Sequence, residues 1–80
     1  MVKRFGDGLE TDFYIRVDGG SEKDYELFPR ETASQAARDF FLVFFYGANI
    51  QDPQRFHVRH PNGTVQIFDV KAAIEVTEVV

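Results

Sequence analysis

RFHVRHPNGTVQIFDV, residues 55–70, is the stretch on which the fold turns. Two alternating runs flank Pro61-Asn62-Gly63-Thr64. Asn-Gly is the strongest short hairpin signal, because a tight two-residue turn needs positive φ, which these residues tolerate. Successive side chains on a strand point to opposite faces. Phe56 and Val58 therefore share one face, and Arg55, His57 and Arg59 share the other. In the second run Val65, Ile67 and Asp69 alternate with Gln66, Phe68 and Val70. The spacing predicts an antiparallel pair with one apolar side.

Upstream, TDFYIRVDGG (residues 11–20) has the same period, with Phe13, Ile15 and Val17 alternating with Tyr14 and Arg16. Asp18-Gly19-Gly20-Ser21 supplies a turn. KDYELFP (residues 23–29) can then return antiparallel, with Tyr25 and Leu27 on one side, Glu26 and Phe28 on the other, and Pro29 as its stop. Downstream, AAIEVTEVV (residues 72–80) reads as a last strand with Ile74, Val76 and Val80 inward. Lys71-Ala72-Ala73 is a bulge or short link before it.

Between the strands, Thr32-Ala33-Ser34-Gln35 fits a capping box. Ala33, Ala36, Ala37, Phe40, Phe41 and Phe44 then recur at helical spacing, and Gly47 stands where a left-handed C′ residue is wanted. The expectation is one helix over 33–46; a short helix followed by a strand from Phe40 to Tyr46 is the rival. The order strand, strand, helix, strand, strand, strand predicts an α+β fold: an antiparallel sheet of four to five strands with one helix on one face. Residues 11–80 form this single domain, and residues 1–10, polar with two Gly, form a flexible arm.

The segment DFFLVFFYGAN, residues 39–49, sets a second problem. Seven large apolar residues run unbroken from Phe40 to Tyr46, more than one helix stripe can hide. At about 100° per residue, Ala33, Ala36, Ala37, Phe40, Phe41, Val43 and Phe44 fall on a broad sheet-facing side. Leu42 stands opposite, flanked by Phe45 and Tyr46. That outer cluster needs its own cover or stays exposed. The covers open to it are the arm through Phe5 and Leu9, a second copy of the chain, or a foreign partner.

Composition narrows the function classes. The chain has 80 residues, 44% of them hydrophobic, which suits one folded domain and not a disordered segment. There is no Cys, so disulfides and thiolate metal sites are excluded, and a reducing bacterial cytoplasm is the expected compartment. The opening MVKRFGDGLE has no apolar signal core, and no run approaches a membrane span. The net charge of −4 disfavours broad attraction to nucleic acid and allows attraction to a basic protein surface.

Catalytic patterns are not found. His57 and His60 point to opposite strand faces, so they do not chelate as a helical pair would. Ser21 and Ser34 have turn and helix-start roles, and Gly6-Asp7-Gly8 lacks the context of a phosphate loop. No enzyme activity, metal or cofactor is expected. Two charged surfaces remain. Tyr14, Arg16, Arg55, His57 and Arg59, with Phe68 among them, could bind single-stranded nucleic acid by phosphate contact and stacking. Arg stems on an ordinary solvent face explain the same pattern. Asp18, Glu22, Asp24, Glu26 and Glu31 line the first hairpin and its exit, with Glu75 and Glu78 on the last strand. They suit a Lys/Arg-rich partner groove, or serve solubility alone.

YELFPRETASQAARDFFLVFFYGA and RFHVRHPNGTVQIFDV together look like the compact strand–helix–hairpin core of small phage-encoded anti-CRISPR proteins, which the chain resembles in format: short, Cys-free, acidic and α+β. That family shares no common sequence signature, so no residue role carries over. The resemblance implies inhibition without catalysis, by occupying a basic DNA-binding surface of a type I CRISPR effector complex. A toxin-immunity protein is similar in the same way. The expected partner-binding residues are Asp18, Glu22, Asp24, Glu26 and Glu31, with Leu42, Phe45 and Tyr46 as apolar anchors or as a homodimer seam.

Overall fold

The computed structural model describes residues 10–45, 53–71 and 75–80. Five strands, β1 (Thr11–Val17), β2 (Glu26–Arg30), β3 (Gln54–Arg59), β4 (Val65–Lys71) and β5 (Glu75–Val79), form one sheet in the order β2-β1-β3-β4-β5. Every neighbouring pair is antiparallel. One helix, α1 (Ala33–Phe45), packs across a single face. The α+β architecture expected from the alternating runs is the one observed.

The hairpin forms, but its turn is His60–Gly63, closed by Gly63 N–H donating to His60 O at 2.9 Å, so Pro61-Asn62 and not Asn62-Gly63 is the central pair. Gly63 sits at φ 94°, His60 N–H donates to Thr64 O at 2.7 Å, and Thr64 N–H donates to the Asn62 side chain at 2.9 Å. The register sets Phe56 opposite Phe68, and both are buried. Phe68 thus belongs to the core, not to the cationic face where its neighbours placed it. Thr32 caps α1, its hydroxyl accepting from Gln35 N–H at 3.1 Å.

The core comprises Phe13, Ile15, Ala33, Ala36, Ala37, Phe40, Phe41, Phe56, Val58, Phe68 and Val70. Three alanines let the helix backbone approach the sheet, and the Phe rings fill the volume beyond them. Phe56 sits at the middle: Phe40 and Phe45 meet it edge-on at 5.2 and 5.7 Å, and Phe41 at 6.5 Å. Val76 packs against this core, as expected, whereas Val80 is fully exposed at the strand end.

Two differences concern β2. The return strand begins at Glu26 rather than Lys23, because Glu22–Asp24 forms a 3-10 turn held by Ser21 N–H donating to Asp24 Oδ2 at 2.8 Å. Gly19 at φ 91° makes the reversal that leads into it. Pro29 does not stop the strand but lies within it. β2 is a sheet edge, where a missing N–H breaks no ladder bond on the free side.

The first nine residues, including Phe5 and Leu9, lie outside the described residues. So do Tyr46, Gly47, Asp52, Ala72, Ala73 and Ile74. Glu10 is exposed.

Candidate binding surfaces

Start with the sheet face opposite α1. The pairs Tyr14↔Arg59 and Arg16↔His57 bring the expected cationic and aromatic residues of β1 and β3 side by side. Tyr25 joins them, with the Arg59 guanidinium 4.3 Å from its ring centroid and 5.4 Å from that of Tyr14. Arg16 lies 5.3 Å from the same Tyr25 ring. Tyr14, Arg16, His57 and Arg59 thus share one face, without Phe68.

What the pattern did not show is how the charges meet. Asp18 and Glu22 belong to the acidic set, yet both reach over this face. The Asp18 carboxylate lies 2.7 Å from His57 Nε2, and Arg59 Nη1 donates to Glu22 Oε2 at 2.7 Å. Arg55 pairs with Asp69 on β4 through two bonds of 2.8 and 3.1 Å. That hydrogen bond and charge hold the Asp69 carboxyl below its ordinary value and raise Arg55 above its own. Arg16 donates to the backbone oxygen of Gly20 at 3.0 Å. The two surfaces expected to be separate are therefore largely one neutralised layer.

The remaining acids are distributed differently. Asp24 is engaged locally with Ser21, and Glu78 accepts from Gln66 Nε2 at 3.0 Å. Gln66 in turn meets His60 at 2.6 Å on the helix side of the sheet. His57 and His60 do face opposite ways. Glu26 and Glu31 are exposed, with no ion pair or hydrogen bond from their side chains among the described residues.

Beside Glu26 runs the β2 flank of α1. Arg30 of β2 donates to Asp39 of α1 at 2.8 Å, and Arg38 adds a second bond at 3.0 Å. Burial pushes the Asp39 carboxyl up, but the two arginines outweigh it and leave the group below its ordinary value. Val43 stands one turn beyond Asp39 on the same flank. Phe28 of β2 meets Phe40 edge-on at 5.6 Å, and Phe44 lies on Phe40 at 4.5 Å. Val43 and Phe44 are 59% and 51% exposed, large for apolar side chains assigned to the buried stripe. A shallow groove lined by Arg16, Val17, Lys23, Asp24, Glu26 and Phe40 adjoins them.

The expected apolar anchors fare unevenly. Leu42 is exposed at 42%. Phe45 is not an outer residue: it stacks on Phe41 at 5.5 Å and packs against Phe56. Tyr46 is outside the described residues. Val43 and Phe44, which the wheel placed on the sheet-facing side, are the helix's more exposed apolar pair.

Among the described residues no group of three or more His, Asp and Glu side chains could hold a metal ion, and no helix is long and apolar enough to cross a membrane. No family model, curated protein or solved structure matches the chain.

Proposed function

We propose that this chain is a non-enzymatic acidic binding module that docks the β2 flank of its fold on a basic, nucleic-acid-binding surface of a protein complex and blocks it. The specific form we favour is inhibition of DNA binding by a type I CRISPR surveillance complex, a form that rests on the resemblance in overall format. One observation carries the general reading: Glu26, exposed and unpaired among the described residues, lines a groove with Phe40, the ring on which the half-exposed Phe44 packs. Apolar side chains supply desolvated anchors, and carboxylates supply attraction to Lys and Arg with salt-sensitive capture. Glu31 stands at the other end of β2, beside the start of α1, and is not part of this surface. A competitor of this kind needs no chemistry of its own.

The test is capture by the tagged chain from a lysate containing a type I effector complex, read by mass spectrometry. The reading predicts stoichiometric effector subunits, lost on adding salt and lost with Glu26→Lys plus Phe44→Ala. Recovery of the bait alone sinks the CRISPR form for that system. Unchanged recovery with the double variant sinks the assignment of the surface.

A further inference from the structure

The second face of the sheet carries a different inference, independent of the docking surface above. We propose that this face is a self-masked binding site for single-stranded nucleic acid, and that the segment 18–24 is the strap that masks it.

Three features converge. The first is the make-up of the face: Arg16 and Arg59 lie against Tyr25, Arg59 also lies near Tyr14, and His57 is next to Arg16 across the ladder. Guanidinium groups neutralise phosphates, and the tyrosine rings of the same face offer π surfaces to bases. The second is the identity of the mask. Among the described residues, the carboxylates that meet His57 Nε2 and Arg59 Nη1 both come from the strap, Asp18 and Glu22, at 2.7 Å each. These are anionic oxygens standing where phosphate oxygens would stand.

The third feature is an unmet donor. Arg16 Nε is buried and has no hydrogen-bond partner among the described residues, although its Nη1 donates to strap and β1 carbonyls at 3.0 and 3.3 Å. A buried donor left without a partner is unfavourable. Lifting the strap would give it a partner.

The latch is weak enough to yield. The Asp18 and Glu22 carboxylates are 55% and 77% exposed, and a pair with so exposed a partner as Arg59–Glu22 contributes little. Gly19 at φ 91° gives the strap its hinge-like reversal. A ligand that presents several phosphates in series competes with both carboxylates at once. The net charge of −4 opposes binding while the strap is down.

The experiment is fluorescence anisotropy of a labelled oligothymidine of about twelve nucleotides. It compares the unaltered chain, Asp18→Asn/Glu22→Gln, and that variant with Arg16→Gln/Arg59→Gln added. The double variant should bind about tenfold more tightly than the unaltered chain at low salt, with affinity falling as salt rises. Adding the two Arg changes should remove the gain. If the double variant misfolds, Asp18→Asn alone, which leaves the Arg59–Glu22 pair intact, should give part of the gain. No tighter binding in a folded strap variant overturns the proposal, as does a gain that survives loss of Arg16 and Arg59. Glu26→Lys with Phe44→Ala tests the other surface, so the two readings can fail separately.

Discussion

Arg59 of β3 and Glu22 of the turn before β2 meet at 2.7 Å, 37 residues apart in sequence, with the Arg59 guanidinium seated on Tyr25. This contact joins a residue of the cationic pattern to one of the acidic pattern. It joins two surfaces that the sequence pattern keeps apart, and of the acids Asp18, Glu22, Asp24, Glu26 and Glu31 it leaves Glu26 and Glu31 without a side-chain partner among the described residues.

Such a pair is surface electrostatics and not scaffold. Glu22→Gln should lower stability by only about 0–1 kcal/mol, because an exposed ion pair gains little over its hydrated parts. Urea unfolding at neutral pH checks this. A loss several times larger would mean that the strap is part of the cooperative fold.

Phe56 is the packing centre. It is fully buried and touched by three rings of α1. Phe56→Ala should cost about 3–5 kcal/mol through lost transfer energy and a residual cavity. Leu42→Ala, at an exposed site, should stay within about 0.5 kcal/mol. Phe45→Ala should fall between them, because Phe45 covers Phe41 and Phe56 rather than facing solvent. Equal losses for Phe45→Ala and Leu42→Ala would place Phe45 outside the core.

The Arg30–Asp39 contact ties the edge strand to the helix and has a pH signature. The folded-state pKa of Asp39 is lowered, so its charge contributes stability above the unfolded Asp value, near pH 4, and loses it as pH falls through the folded value. Asp39→Asn should therefore destabilise the chain by roughly 1 kcal/mol at neutral pH, with the gap closing at acid pH. Unfolding curves of both proteins across that range test it. A gap that widens on acidification contradicts the sign.

The strand set was legible because alternation and Asn-Gly are local signals, and the buried residues Phe13, Ile15, Phe56 and Val58 follow from them; Phe68 was placed on the wrong face because alternation alone does not say which side of β4 meets the helix. The helix was legible from its capping hydroxyl and Ala-to-Phe spacing. Its last turn was not. A helical wheel gives the direction of Phe44 but not whether anything lies beneath it, and Phe44 ends up against Phe40 with half its surface free. Pro29 misled because its exclusion from strands holds only for interior ones, and β2 became an edge. The pairing of Asp18 with His57 and Glu22 with Arg59 depends on how the turn folds back over the sheet. Residue spacing does not encode that path.

Blocking of a basic nucleic-acid-binding surface by the acidic, apolar β2 flank, as proposed, would be visible in DNA binding itself. The most direct measurement is target-DNA binding by a purified type I surveillance complex with and without an equimolar amount of the chain. The account predicts loss of DNA binding with the unaltered chain and its recovery with Glu26→Lys/Phe44→Ala. Undiminished DNA binding in the presence of the folded, unaltered chain would contradict it.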